Sequence, residues 1–389
     1  MKNYLGKLIV LFILGFCPNK CFSENITVIG VGRLGLSFAL CLEKAGYDVL
    51  GVDVLPEYVD QLNDKFFDST EPFINGLLES SQRFKATTSL KEGLDFSDIC
   101  FITITTTHGT DGYDFSLLSE LLSKINLYSP ANKKIVICST IKPGYIKEYA
   151  SSLLADCPST TICYNPPFIA QGEIVNGLCN PDMVLIGEGS NESGALLEKI
   201  YKQLCKNSPY IARMSVESAE ITKLALNCFI TAKISFANLI GDIADKTFGA
   251  NKFDILHAIG KDRRIGEKCI LPGFGFGGPC FPRDNKALGE YSALKEIDPI
   301  FFETTDLVNS QHAEYMAQEL TNKDLSDYVF ENVAYKENCP VPMIDASQKL
   351  VVAKKLVERG KSVTIRDFEP IIERVREKFG DIFNYETKY

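Results

Sequence analysis

The apolar and polar positions along the chain begin as an alternation of short strands and amphipathic helices. Asn25-Ile-Thr-Val-Ile predicts a strand running directly into Gly30-Val-Gly32-Arg33-Leu34-Gly35. Apolar residues at Leu36, Ala39, Leu40 and Leu42 then recur with a helical period, and Gly46 closes the run. A second strand, Asp48 to Val52, delivers Asp53 to its end. Further strands are expected at Ile99 to Ile104, Lys134 to Cys138, Thr161 to Tyr164 and Met183 to Ile186, with helical stretches between several of them. That alternation predicts an α/β fold whose N-terminal part is a Rossmann-like, doubly wound parallel sheet.

From Ser215 to about Lys246 the period stays helical, with apolar residues at Ile221, Leu224, Ala225, Cys228, Ala232, Phe236, Leu239 and Ile243. A helix of that length joins two lobes or pairs with a copy of itself. Beyond it, a strand from Tyr328 to Tyr335 leads to Lys336, a helix from Ser347 to Arg359 is closed by Gly360, and Ser362 to Arg366 predicts a strand delivering Asp367. This last region reads as a second, truncated Rossmann-like domain that stops after one helix, leaving an edge and an apolar face to be covered.

One stretch breaks both periods. Residues 271–288 hold four glycines and three prolines in eighteen positions, which predicts a tight loop rather than helix or strand for most of its length. Into it are set the thiol of Cys280 and, four residues later, the carboxylate of Asp284; a helix is expected from about Asn285. A cysteine among glycines is reachable by substrate in a way that one on an apolar helix face is not.

Composition narrows the classes. The chain of 389 residues is long enough for two or three domains, with 45% hydrophobic and 23% charged residues, as in soluble globular proteins. A net charge of −9, with no basic stripe, argues against a nucleic-acid surface. Thirteen cysteines lack paired metal spacing and there are three histidines, so no metal site is expected and the thiols read as reduced and mostly buried. Residues 1–23 carry Lys2, Lys7 and an apolar run from Leu8 to Phe16, a pattern like a secretory signal peptide or an apolar leader and too short to span a bilayer.

The glycine loop at 30–35 has the context that dinucleotide binding requires: a strand before it, a helix after it, and an acid at the end of the next strand. Gly30 makes the turn, Gly32 lets the backbone meet a pyrophosphate, Gly35 permits helix–strand packing, and Asp53 favours the ribose hydroxyls of NAD over NADP. Thr105-Thr106-Thr107 and Ser139-Thr140 follow two strand ends, where such a sheet binds its ligands; by pattern alone capping and turn roles account for them.

Gly-Phe-Gly-Gly-Pro-Cys-Phe-Pro-Arg-Asp, residues 275–284, resembles the catalytic-cysteine loop of the UDP-glucose/GDP-mannose dehydrogenase family. The resemblance covers roughly residues 25–370 and implies NAD-dependent oxidation of C6 of a nucleotide sugar from alcohol to acid, UDP-glucose first, in the cytoplasm where those metabolites are made. It implies catalytic roles for Cys280, Lys223, Asn227, Asp284 and Thr140, the last near the thiol with its water. Arg33, Leu34, Thr106 and Thr140 join Gly30, Gly32, Gly35 and Asp53 at the cofactor, and Lys223, Asn227, Arg264, Phe274, Gly277 and Lys336 contact the sugar nucleotide. Arg264 is commonly reached across a subunit interface, and the long helix is expected to form a homodimer. The implied division is a leader at 1–23, an NAD-binding domain at 24–207, a central helical domain with the cysteine loop at 208–320, and a shortened nucleotide-sugar domain at 321–389.

The chain also departs from the family. Pro167 and Gln171 stand where the family has glutamates, and Met343 replaces an arginine. Pro279, where the branch that acts on N-acetylated hexosamines has histidine, favours a glucose- or mannose-type substrate. Glu173 is close enough in sequence to Pro167 to be considered as its replacement. The alternatives are therefore a GDP-mannose 6-dehydrogenase, or a catalytically impaired homologue that binds a nucleotide or a partner.

Overall fold

The computed structural model describes residues 24–388 apart from 110–111, 324 and 337–340. The leader expected at 1–23 lies outside the described residues.

The main sheet starts as the sequence predicts. Strand β1 (Asn25–Ile29) feeds helix α1 (Arg33–Ala45), which Gly46 closes at φ 114°, and β2 (Asp48–Val52) follows. Helices α2 (Pro56–Asn63) and α3 (Ile74–Ser80) lead to β3 (Phe84–Thr87), and α4 (Leu90–Phe96) leads to β4 (Ile99–Ile102). A hairpin, β5 (Thr107–Gly109) and β6 (Gly112–Asp114), stands off the sheet. Then come α5 (Ser116–Tyr128), β7 (Lys134–Ile137), a π-helical turn at Ile146–Ala150 running into α6 (Ser151–Leu153), and β8 (Thr161–Tyr164). Helix α7 (Ile174–Cys179), β9 (Met183–Glu188), α8 (Asn191–Leu204) and β10 (Tyr210–Ser215) complete this half.

The eight strands lie in the order β10-β9-β8-β7-β4-β1-β2-β3. The order reverses between β1 and β4, so a ligand crevice opens beyond their carboxyl ends. The sheet is not wholly parallel. β9 meets β8 antiparallel through the single pair Tyr164 and Gly187, because a short return through α7 brings the chain back from the other end.

Helix α9 (Val216–Asp245) spans 30 residues, capped by Ser215 Oγ, which accepts from the Ser218 amide. By length and composition it could cross a membrane. Here it packs against β9, α10 (Lys252–Lys261), α11 (Phe281–Leu294) and α12 (Ile300–Thr321). Helix α11 starts four residues earlier than the glycine and proline content suggests. Pro282 sits in its first turn, where a missing amide proton costs nothing, and Cys280 becomes the N-cap.

The C-terminal region is larger than expected. β11 (Tyr328–Glu331) ends four residues short of Tyr335, since Asn332 turns the chain at φ 52° and the Val333 amide donates to Asp367 at 2.7 Å. After α13 (Gln348–Glu358) and β12 (Val363–Asp367) come a second helix, α14 (Glu369–Phe379), and a third parallel strand, β13 (Asn384–Thr387). Ile371, Ile372 and Val375 of α14 join Leu350, Val352 and Leu356 of α13 and Ala313 and Ala317 of α12 in one core around this sheet. The apolar face expected to lie bare is thus partly covered from within the chain.

Candidate active site

The dinucleotide end is built by the first βα turn. Gly30 adopts φ 88° and its amide donates to the Val52 carbonyl at 2.7 Å, tying β1 to β2. A Cβ on Gly35 would stand 2.1 Å from the Gly30 carbonyl oxygen and 2.5 Å from Thr103 Oγ1, so only glycine allows α1 to seat there. A Cβ on Gly32 would meet nothing within 4 Å, which leaves the backbone open to an incoming group. Gly32 is also the N-cap of α1 and offers no side-chain acceptor, so the amides of Arg33 and Leu34 point at that opening. Orphan amides at a helix start favour a pyrophosphate. Asp53 stands half-buried at the end of β2, one carboxylate oxygen accepting from the Leu55 amide at 3.3 Å. These residues fit NAD.

Arg33 reaches away from the glycine loop. Its Nη1 donates to Gln171 Oε1 at 3.1 Å and lies 3.9 Å from Met343 Sδ. One guanidinium thus touches two of the positions at which the chain departs from the family pattern.

The reactive end is assembled from α9, α11 and two loops. Asp284 lies one turn into α11 and is buried, at 1% exposure. Its Oδ2 accepts from Asn227 Nδ2 at 2.6 Å, and its Oδ1 accepts from the Tyr113 hydroxyl. Arg283 lies over the Tyr113 ring at 4.3 Å, its Nη1 donating to the Thr106 carbonyl at 3.4 Å, while its buried Nε makes no hydrogen bond and lies 3.8 Å from Asp284 Oδ1. That nitrogen is a donor available to a ligand.

Lys223 is buried on α9, one turn before Asn227. Its Nζ donates to the Pro167 carbonyl at 2.7 Å and lies 4.3 Å from the centre of the Phe168 ring. Burial holds its pKa below the ordinary lysine value, against the pull of Asp284 and Cys280. Cys280 is exposed to solvent, with protein packed densely around it. Burial and then the Asp284 charge push its thiol above the ordinary value, while Arg283 and Lys223 draw it down. A nucleophile, a cation and an anion therefore lie close enough to act on one another's charge.

The loop carrying Thr140 is clamped to the same helix. Glu220 of α9, fully buried, accepts from the Gly144 amide at 2.6 Å and the Ile146 amide at 3.0 Å. Thr106 Oγ1 donates to the Thr140 carbonyl at 3.0 Å and Ser139 Oγ to the Ile104 carbonyl at 2.5 Å. Both threonines thus sit in one hydrogen-bonded rim, beside Arg283.

Most glycines of the cysteine loop serve packing. A Cβ on Gly275 would stand 2.2 Å from Asn309 Oδ1, on Gly277 2.1 Å from the Ala346 carbonyl, and on Gly278 2.7 Å from the Tyr335 ring. They let the loop lie against α12 and the C-terminal region. Phe274 lines a cavity of about 820 Å³ with His312 and Lys349, and Cys280, Lys223 and Asp284 are not among its lining residues.

Two expected substrate contacts are engaged in ion pairs. Arg264 is highly exposed and forks onto Asp262, at 3.0 Å and 2.7 Å. Lys336 pairs with Glu173 at 2.9 Å, which commits to that lysine the carboxylate considered as a replacement for one at Pro167. The sequence reading passed over Tyr113, Arg283 and Glu220. Glu220 had left a signal, a carboxylate three residues before Lys223 on a buried helix face; Tyr113 had left none.

Residues 24–205 match the UDP-glucose/GDP-mannose dehydrogenase family, NAD binding domain, and residues 217–311 match the central domain of the same family. A UDP-glucose 6-dehydrogenase of Rickettsia conorii is 30% identical over 356 residues, covering 89% of this chain and 81% of the relative. A GDP-mannose 6-dehydrogenase of Pseudomonas aeruginosa is 27% identical over 371 residues, covering 90% and 82%. The solved structure of a UDP-glucose dehydrogenase from Pyrobaculum islandicum superposes with a TM-score of 0.84 at 26% identity, over 95% of this chain and 88% of that one. The fold and the cofactor end define an NAD-dependent dehydrogenase. The chain belongs to the UDP-glucose/GDP-mannose dehydrogenase family.

Proposed function

We propose that the protein oxidises UDP-glucose at C6 to UDP-glucuronate, with Cys280 as the nucleophile. The observation that carries this reading is the packing of Cys280 and Asp284 on one helix start, where the Asp284 amide donates to the Cys280 carbonyl at 2.8 Å, against Asn227, one turn from Lys223, at 2.6 Å. NAD would be held at the start of α1 by the Arg33 and Leu34 amides and by Asp53, and would supply the hydride acceptor for both oxidations. Lys223, less basic than a solvated lysine, exchanges the proton of the C6 oxygen and stabilises negative charge there. Cys280 Sγ adds to the aldehyde carbon to give a thiohemiacetal, and after the second oxidation C6 is held as a thioester until water displaces the sulfur. Thr140 and Asn227 orient water and substrate on either side. Asp284 keeps Asn227 and Tyr113 in place and supplies the negative charge that returns Cys280 to its thiol.

The segments 24–207, 208–320 and 321–389 divide this work into cofactor binding, chemistry and nucleotide-sugar binding. Phe274, Gly277 and Lys336 serve the sugar nucleotide, and Arg264, exposed and paired with Asp262 in its own chain, serves a partner copy. Two copies pair along α9, where Phe229, Phe236 and Ile243 are exposed at intervals of seven residues. The substrates and NAD place the reaction in the cytoplasm.

The test is to incubate the protein with NAD and UDP-glucose and to count NADH per UDP-glucuronate released, with Cys280→Ala alongside. Sustained turnover at two NADH per acid, lost in the variant, is the expected result. A burst no larger than the enzyme concentration would put a block at thioester hydrolysis, consistent with Pro167. Turnover with GDP-mannose in place of UDP-glucose would reassign the substrate. Absence of NADH with both sugars, in protein that still binds NAD, would leave the binding role.

A further inference from the structure

Away from Cys280, two thiols meet where the cofactor helix packs on α7. Cys41, on α1, and Cys179, the last residue of α7, bring their sulfurs to 3.8 Å across 138 positions of sequence. Cys41 is buried and Cys179 half-buried, so one of the two is reachable from solvent. A third thiol, Cys205, lies beside them, its Sγ donating to the Leu178 carbonyl at 3.7 Å. The hydrogen bond with Cys41 is the largest influence on Cys179 and, with the Lys206 charge, lowers its pKa to about 7; Cys41 is raised by the same bond and by burial. The two sulfurs thus share one hydrogen bond, and Cys179 is the one that more readily becomes thiolate. Among the described residues no group of three or more His, Cys, Asp or Glu side chains is arranged to hold a metal ion.

We propose that Cys41 and Cys179 form a reversible dithiol–disulfide clasp between the cofactor helix and the segment that ends in α7. The helices α1 and α7 already pack together, so the bond needs rotation of two side chains and a small approach rather than a new interface. The oxidant is a small-molecule disulfide of the glutathione type. The Cys179 thiolate attacks one of its sulfurs and expels a thiolate, which takes up a proton. Cys41 then releases its proton to solvent and attacks the Cys179 sulfur, expelling the second small thiolate. Two protein thiols lose two electrons and two protons, and one disulfide becomes two thiols.

The clasp matters because of what precedes α7. The Pro167 carbonyl holds Lys223, Gln171 accepts from Arg33, and buried Glu71 holds the Gly172 and Ile174 amides at 2.8 Å each. A covalent link at Cys179 ties this segment to the helix that begins at Arg33.

The test uses the full chain treated with glutathione disulfide, alkylated, and digested with trypsin and a glutamyl endopeptidase. The expected result is a peptide containing Cys41 joined to one containing Cys179, lost on reduction. Amide exchange across residues 172–179 should slow by about tenfold or more as local opening is suppressed. Cys41→Ser and Cys179→Ser should each abolish the linked peptide, so the result does not depend on one variant folding. Linkage of Cys179 to Cys205, or alkylation of both Cys41 and Cys179 while Cys280 carries the oxidant, would overturn the proposal.

Discussion

Asn227 donates to Asp284 across 2.6 Å, joining a residue one turn beyond Lys223 on α9 to a residue one turn into α11. With the Tyr113 hydroxyl on the other oxygen, both carboxylate oxygens are engaged, and the charge is spent on holding the helices in register and on the thiol nearby. Thr231 and Asp306 repeat the arrangement one turn deeper, holding Asn285 at 2.9 Å and 3.0 Å. The two helices that carry the reactive groups are thus locked by buried polar contacts, each costly to leave half-made.

Asp284→Asn should therefore make Cys280 more reactive while slowing the enzyme. Burial and the Asp284 charge both raise the thiol, so removing the charge lowers its pKa and increases the thiolate fraction at a given pH. Iodoacetamide alkylation of Cys280 in the wild type should still be accelerating above pH 9, and in the variant should reach its plateau at lower pH. NADH formation should fall in the same protein, because the new amide cannot accept from both Tyr113 and Asn227.

Gly32→Ala separates binding from folding. The new methyl meets no atom of the protein, so thermal unfolding should stay within about 1 °C of wild type, whereas it intrudes where a pyrophosphate would approach. NAD affinity, measured by titration, should weaken about tenfold or more. Gly277→Ala should do the reverse and lower the melting temperature, since its methyl collides with the Ala346 carbonyl.

Glu220 is the third test. Glu220→Ala strips the acceptor from the Gly144 and Ile146 amides and should cost about 3 kcal/mol in urea unfolding. Burial raises the carboxyl above its ordinary value despite those two bonds. Between its unfolded and folded pKa values the native state therefore binds more protons than the unfolded chain, and stability falls as pH rises through that window. Glu220→Gln should flatten that part of the stability profile.

The exposed face of α9 is the last. Phe236→Asp places a charge in the middle of the Phe229, Phe236 and Ile243 stripe. Sedimentation should show a dimer for the wild type and a monomer for the variant, with far-ultraviolet circular dichroism unchanged.

Local pattern was enough for much of this molecule. The spacing of Gly30, Gly32, Gly35 and Asp53, the period of α9 and the position of Cys280 in a glycine-rich loop were all legible, because each depends on residues within a few turns of one another. Helix α14 was legible too, with Ile371, Ile372, Val375 and Phe379 at helical spacing, though the region was expected to end before it. Tertiary structure alone decided the rest. It brought Tyr113 to Asp284 across 171 positions, Glu220 to the 144–146 turn and Cys41 to Cys179, and it turned three glycines of the cysteine loop toward packing partners in α12 and the C-terminal region. Strand and helix periods report which face of an element is buried. Which buried side chain finds which acceptor is set by how the elements cross, and that crossing depends on the whole chain.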